Sequence, residues 1–181
     1  MDADEEAVRS LKRFFSERDS RSLESQAASL AREALVRTDS VLVDLSILAF
    51  VLSKLSNKQH IIESRSWGPA SGRILSHLEE AALQFKGGAR VKAGESVRAA
   101  LNDVDALGLA EGRFVSSMVE KGRIKAAAQM YAHGASLGAV ASFTGASKSD
   151  LADYVGNTNI PDKYSSMPVR ERLEAARKVF S

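Results

Sequence analysis

Apolar residues recur along most of the chain at the three- and four-residue spacing of α-helices. In the first such segment, from Ala3 to Glu17, one face carries Val8, Leu11, Phe14 and Phe15. Acidic residues gather at the start of this segment, where they complement a helix dipole. No segment stands out with the strict alternation and turn signals of β-strands. The pattern therefore predicts an all-α fold.

Further helices in the N-terminal region follow from the same spacing. They are predicted over residues 23–36, 41–55, 61–85 with a break at the Trp67-Gly68-Pro69 run, and 95–107. The segment from Val41 to Leu55 is apolar nearly all round, which predicts the central helix of a bundle, capped by Thr38 or Asp39. It contains Asp44 and Lys54 and is shorter than the ~20 apolar residues of a membrane span.

Glycines divide the chain into two predicted domains. The Lys-Gly-Gly-Ala-Arg run at 86–90 predicts an interior loop, and Gly108 with Gly112 brackets a joint. We therefore predict a helical bundle at 1–110, which serves dimerisation or partner binding, and a second module at 111–181. In that module, helices are predicted over 113–133, 137–144, a segment starting at 147, and 168–180.

The stretch SLGAVASFTGASKSDLADYV, residues 136–155, has the spacing of two short helices joined by a tight turn. Ser136 is the predicted cap of the first helix. Gly145 occupies the turn, where glycine adopts a positive φ at the lowest cost. Ser147 is the predicted cap of the second helix, with Asp150 completing a Ser-x-x-Asp capping box.

This pattern resembles the helix-turn-helix family in its small three-helix form, over residues 123–155. The matching positions are Val140, Ala141, Gly145, Leu151 and Tyr154. The resemblance implies that the second helix enters the DNA major groove and that its first residues touch base edges. Carried over position by position, the implied base-contacting residues are Ser147, Lys148, Ser149, Ala152 and Asp153. The N-terminus of the first short helix, at Ser136, is an implied phosphate site.

The second helix of the motif is slightly acidic, whereas three other segments of the chain are basic. The whole chain has a net charge of only +2, so nucleic-acid binding requires a local basic patch. Residues 148–155 carry one Lys against two Asp, which disfavours contact with a polyanion. The segments 113–125, 163–178 and 86–98 each carry a net charge of +3. From these basic segments, the predicted phosphate ligands are Lys121, Arg123, Lys125, Arg170 and Arg172. The alternative is that such clusters are solvated helix faces.

Three interpretations of the motif remain open. The first is a cytoplasmic regulatory protein that binds double-stranded DNA as a homodimer, because two half-sites multiply affinity. The second is a protein-interaction module of the antitoxin-like or adaptor type, favoured by the acidic second helix and the apolar stripe of residues 168–180. The third is a helical pair that only coincides with the motif.

Composition argues against the other function classes. The chain has no cysteine, and its histidines show no metal-binding spacing, so we predict neither a metal nor a cofactor. The turn containing His77 and Glu80 is the single feature in favour of an enzyme. The acidic start, MDADEEAV, lacks the basic and apolar regions of a secretory signal.

Overall fold

A computed structural model describes residues 3–110 and 116–158, and these two ranges contain helices and no strand. The helices are α1 (Ala3–Ser16), α2 (Ser20–Arg37), α3 (Ser40–Leu55), α4 (Gln59–Ile62), α5 (Trp67–Lys86), α6 (Arg90–Ala110), α7 (Ser116–Tyr131), α8 (Leu137–Thr144) and α9 (Lys148–Asn157). The predicted all-α class is confirmed. In these ranges no helix is both long enough and apolar enough to cross a bilayer.

Helix α3 lies at the centre of the bundle. It packs against α2 along its length and also contacts α1, α6, α7 and α8. Leu45 and Leu52 have no exposed surface. The buried Ser46 hydroxyl donates a hydrogen bond to the carbonyl oxygen of Ala27, at 2.8 Å, so its burial leaves no unsatisfied donor. The predicted central position of this segment is confirmed.

Asp39, and not Thr38, caps helix α3. Its Oδ1 accepts a hydrogen bond from the backbone N of Val41 at 2.9 Å. Thr38 instead ends α2 in the left-handed conformation, at a φ of 51°. Helix α2 begins three residues before the predicted start, because the Asp19 carboxylate caps it by accepting from the backbone N of Ser22 at 3.0 Å.

Helix α5 begins at the predicted break, whereas the limits of α6 differ from the predicted ones. Pro69 lies in the first turn of α5, where its missing N–H has no helical partner to lose. Helix α6 begins at Arg90 rather than Glu95, and it continues through Gly108 to Ala110. Gly112 lies outside the described residues. Burial of Leu107 against the core outweighs the preference of about 1 kcal/mol that glycine has against a helix.

Four charged residues at one end of the bundle form a cluster that we call the N-terminal clasp: Asp4, Arg37, Asp39 and Arg90. Arg37 donates two hydrogen bonds to the buried Asp4 carboxylate, at 2.6 and 2.8 Å. Arg90 forms ion pairs with both Asp4 and Asp39. Burial alone would raise the pKa of Asp4, but the hydrogen bonds from the two guanidinium groups lower it below its ordinary value. The clasp therefore joins α1, α2, α6 and the start of α3.

Helices on both sides of residue 110 contribute to one hydrophobic core. Helix α7 packs against α2 and α3 and buries Ala126 and Met130. Gly122 permits this contact, because a Cβ at that position would lie 3.1 Å from the Ile47 Cγ2 atom and 3.3 Å from the Val51 Cγ2 atom. The α8–α9 pair is thus held against the bundle through α7.

Candidate nucleic-acid interface

The caps and the turn of the α8–α9 pair agree with the sequence prediction. Gly145, between the two helices, has a left-handed φ of 70°. The Ser136 Oγ accepts a hydrogen bond from the backbone N of Ala139 at 3.2 Å, and the Ser147 Oγ accepts one from that of Asp150 at 3.4 Å. Both predicted serine caps and the predicted conformation of the glycine are confirmed.

A small core holds α7, α8 and α9 together. Val140, Ala141 and Leu151 are buried in it. The Thr144 hydroxyl donates to the carbonyl oxygen of Val140 at 2.8 Å and accepts from the backbone N of Ala146 at 3.3 Å. These contacts define the conformation of the turn, and they leave the outer surface of α9 exposed to solvent.

Glu120 of α7 makes the backbone contact that the sequence assigned to Asp150. The backbone N of Ser147 donates to the Glu120 Oε1 at 3.2 Å, so the return half of the predicted capping box is wrong. Glu120 lies 27 residues from Ser147, which places it beyond the local pattern that a capping box uses. Asp150 is exposed and adds negative charge to the surface of α9.

The outer face of α9 carries short and polar side chains. Lys148, Ser149, Ala152 and Asp153 are exposed, and Ser147 is half-buried with its Oγ 3.0 Å from the Ser149 Oγ. The structure therefore brings the sequence-predicted base-contacting residues together on the solvent side of the helix.

The predicted phosphate ligands of α7 lie on two sides of that helix. Lys125 places its Nζ 5.1 Å from the centre of the Tyr154 ring of α9, and the exposed Lys121 lies one turn earlier on the same face. Arg123 points elsewhere and donates to the carbonyl oxygen of Gly145 at 3.5 Å. Two further predicted ligands lie outside the described residues, namely Arg170 and Arg172.

Two lysines that the sequence analysis missed join Lys121 and Lys125. Lys54 of α3 places its Nζ 5.0 Å from the centre of the Phe50 ring, and Lys58 follows just beyond that helix. Phe50 lines a groove of about 200 Å³ with Lys54, Lys58 and Lys121, and a smaller cavity of about 60 Å³ with Lys125. We call these four lysines the lysine ridge. The sequence shows Lys54 in the last turn of the apolar helix α3, but it does not show that Lys121 is nearby, because that depends on how α3 packs against α7.

Arg123 lies in the electrostatic field of two carboxylates of the bundle. Burial raises the pKa of Asp44, and the positive charges of Arg98 and Arg123 offset part of that rise. Burial also raises the pKa of Asp105, again partly offset by Arg123. Arg123 therefore links the bundle electrostatically to the α8–α9 turn and is not part of the lysine ridge.

His77 of α5 lies between two carboxylates. Its Nδ1 is 3.6 Å from the Glu80 Oε2, on the predicted shared face, and its Nε2 is 3.3 Å from the Asp103 Oδ2 of α6. Asp103 also accepts a hydrogen bond from the Nε of Arg73 at 2.5 Å. Within residues 3–110 and 116–158, no group of three or more histidine and carboxylate side chains is arranged to hold a metal ion. Arg73 and His77 of α5 thus both lie against Asp103 of α6, and Asp103 joins the two helices.

Comparison of the chain with protein-family models, with curated proteins and with solved structures found no match.

Proposed function

We propose that this protein binds double-stranded DNA through α9 and the lysine ridge. The observation that carries the proposal is the position of the ridge: Lys125 lies against the half-buried Tyr154 ring of α9, so the ridge reaches that helix at Lys125. Duplex DNA carries one negative charge per ~1.7 Å of its axis, and lysines that neutralise phosphates supply most of the non-specific affinity.

Each part of the interface has its own role in this proposal. The lysine ridge binds the backbone of one strand, which gives affinity and position without sequence information. Ser147, Lys148 and Ser149 approach base edges in the major groove. The N-terminus of α8, at Ser136, binds a second phosphate through its backbone N–H groups. Arg123 supports the turn from behind and contributes long-range attraction only.

In this proposal the protein acts in the cytoplasm as a homodimeric regulator of transcription. Helix-turn-helix dimers place two half-sites about 34–36 Å apart, one turn of the duplex, and each half-site multiplies the affinity of the other. The proposed DNA target is therefore a palindromic site with that spacing.

The first test is binding to a random-sequence duplex, followed by fluorescence anisotropy over a series of salt concentrations. The ridge variant combines Lys54→Gln with Lys121→Gln, and the matched control combines Lys86→Gln with Lys92→Gln, two exposed lysines elsewhere on the bundle. Each phosphate contact contributes about 0.9 to the slope of log K against log salt. The ridge variant should therefore lose up to about 1.8 of slope, while the control keeps the slope of the wild type.

Two results would contradict the proposal. The first is the absence of binding at about 10 mM salt, where the Debye length is ~30 Å and even weak basic patches bind DNA. The second is an equal loss of slope in the ridge variant and in the control, because DNA would then contact no particular lysines. Circular dichroism of all variants checks that the helices are intact.

A second candidate function is protein binding through the same surface. The observation that favours it is the pair of exposed acids on α9, Asp150 and Asp153, beside the single Lys148. A double variant, Asp150→Asn with Asp153→Asn, separates the two functions. Tighter DNA binding by this variant supports a groove-facing α9, because two repulsive charges are removed. Wild type and variant that both fail to bind DNA support a protein partner instead.

A further inference from the structure

Two valines are exposed at the end of the bundle that holds the N-terminal clasp. Val36, in the last turn of α2, is 84% exposed, and Val91, in the first turn of α6, is 74% exposed. Their neighbours in sequence, Arg37 and Arg90, both pair with the Asp4 carboxylate, so the two valines lie at the same end of the molecule. They are two of the three large apolar side chains that are exposed among the described residues.

An open groove of about 360 Å³ lies beside these valines. It is lined by residues 37–41, between α2 and α3, and by Arg90 and Val91 at the start of α6. The clasp compensates the two arginines of its wall with two carboxylates. The surface therefore offers a partner exposed apolar area without an unpaired cluster of charge. We propose that two copies of the protein meet at this surface, with α2 of each copy antiparallel to α6 of the other.

The inference rests on the homodimer of the proposed function and adds the surface through which the two copies bind. A twofold contact is isologous, so every pair of residues across it occurs twice. In this contact Val36 of each copy packs against Val91 of the other. Both valines then lose exposed apolar surface to the partner, which favours association.

Charge complementarity between α2 and α6 fixes the register of the contact. Arg32 is one helical turn before Val36, and Glu95 is one turn after Val91, so each lies on the same face as its valine. Both side chains are exposed, and neither forms an ion pair with another described residue. Four residues span about 6 Å of helix. When the helices are antiparallel and the valines are opposite one another, Arg32 of one copy therefore faces Glu95 of the other.

The balance of charge at this surface favours a second copy over a strongly charged partner. The clasp has two arginines and two aspartates. Within four residues of either valine, the remaining charged residues are Arg32 and Lys92 against Glu33 and Glu95. The surface thus has no net charge, so it does not repel a copy of itself and gives no electrostatic attraction to a polyanion.

Sedimentation equilibrium of the full chain without DNA tests the proposal. We expect a monomer–dimer equilibrium with a dissociation constant of roughly 1–100 μM, because two valines per copy are a small part of the ~800 Å² per partner that stable interfaces bury. A wild-type protein that stays monomeric at about 500 μM would overturn the proposal, since even weak specific interfaces associate at that concentration.

Substitution of each valine localises the interface. A lysine suits the end of a helix and a glutamate suits its start, so Val36→Lys and Val91→Glu should both fold. Each places a charge in the apolar contact and should raise the dissociation constant at least about tenfold. Ala106→Lys, at an exposed position about four turns further along α6, is the matched control and should leave the constant unchanged.

Charge reversal tests the register. Arg32→Glu and Glu95→Arg should each raise the dissociation constant, because each places like charges opposite one another. The double variant should return it to near the wild-type value. This rescue would not occur if the single variants were only misfolded.

Two further results would overturn the proposal. One is a dimer that the valine variants leave as strong as the control does, because the copies would then meet elsewhere. The other is a double charge variant that associates no better than the single ones. These measurements contain no DNA, so their failure is distinct from a failure of the lysine ridge to bind a duplex.

Discussion

Gly145 and Gly138 lie seven residues apart and have opposite environments. Gly145 has a φ of 70°, and a Cβ on it would lie 2.7 Å from the Arg123 Nη1 atom. Gly138 is inside α8, and a Cβ there would meet no atom within 4 Å. The first glycine is therefore required by the backbone, whereas the second only weakens its helix.

Alanine at these two positions should have effects of opposite sign. Gly145→Ala should lower the free energy of unfolding by about 1–2 kcal/mol, because the left-handed conformation is costly for a residue with a Cβ. Gly138→Ala should raise it by about 0.5–1 kcal/mol through better helix propensity. Urea titration followed by circular dichroism measures both changes. Equal stability of the two variants would show that the turn does not need its left-handed residue.

At the scale of helices, α7 has two roles, since it packs against α3 and also supports α8 and α9. The α3–α7 contact depends on the small size of Gly122, whose Cα faces Ile47 and Val51. Gly72 of α5 is a helical glycine in the opposite situation, because a Cβ there would meet no atom within 4 Å. The pair separates the effect of packing from that of helix propensity.

Leucine at these glycines tests the α3–α7 contact. Gly122→Leu should destabilise the protein by about 1–3 kcal/mol, since the larger side chain overfills the interface. For a chain of this size, that corresponds to a decrease of about 2–12 °C in Tm. Gly72→Leu should leave Tm unchanged or raise it slightly. If thermal unfolding shows the same Tm for both variants, then α7 does not need a close approach to α3.

Local signals predicted the elements that depend on local chemistry. The centre of the bundle at α3, the caps of α8 and α9, and the conformation of Gly145 follow from apolar spacing and short polar motifs. The continuation of α6 through Gly108 did not follow, because packing overrides the preference of glycine. Half of the lysine ridge was predicted, at Lys121 and Lys125. The other half, Lys54 in α3 and Lys58 just after it, comes near α7 only through tertiary packing, which a local sequence pattern does not contain.

At the scale of the whole molecule, the N-terminal clasp connects helices that are distant in sequence. Asp4 is 2% exposed, and it joins α1 to Arg37 of α2 and to Arg90 of α6. Because its pKa is lowered on folding, its ionised form stabilises the folded state. That stabilisation is fully present above the unfolded pKa of about 3.9 and is lost as the pH falls through the lower, folded pKa.

Asp4→Asn should therefore reduce stability in a pH-dependent way. At pH 7 we expect a loss of about 2–3 kcal/mol, because two guanidinium groups lose their shared carboxylate. The difference from the wild type should shrink as the pH is lowered below about 4, where the wild-type carboxyl is also protonated. Glu6→Gln, at an exposed position of the same helix turn, is the matched control and should change stability by less than about 0.5 kcal/mol. A difference that stays constant from pH 7 to pH 3, measured by urea unfolding, would contradict this origin of the stability.

The clasp also sets a delay during protein synthesis. Asp4 and Arg90 are 86 residues apart, and a ribosome adds ~5–20 residues per second, so the second partner is made about 4–17 s after the first. Helix α5, on which α1 packs, is made only shortly before Arg90. During this interval the apolar face of α1, with Val8, Leu11 and Phe15, does not yet have all the packing contacts of the folded protein. Helix α1 therefore has all the partners of its clasp only when about half of the chain has been made.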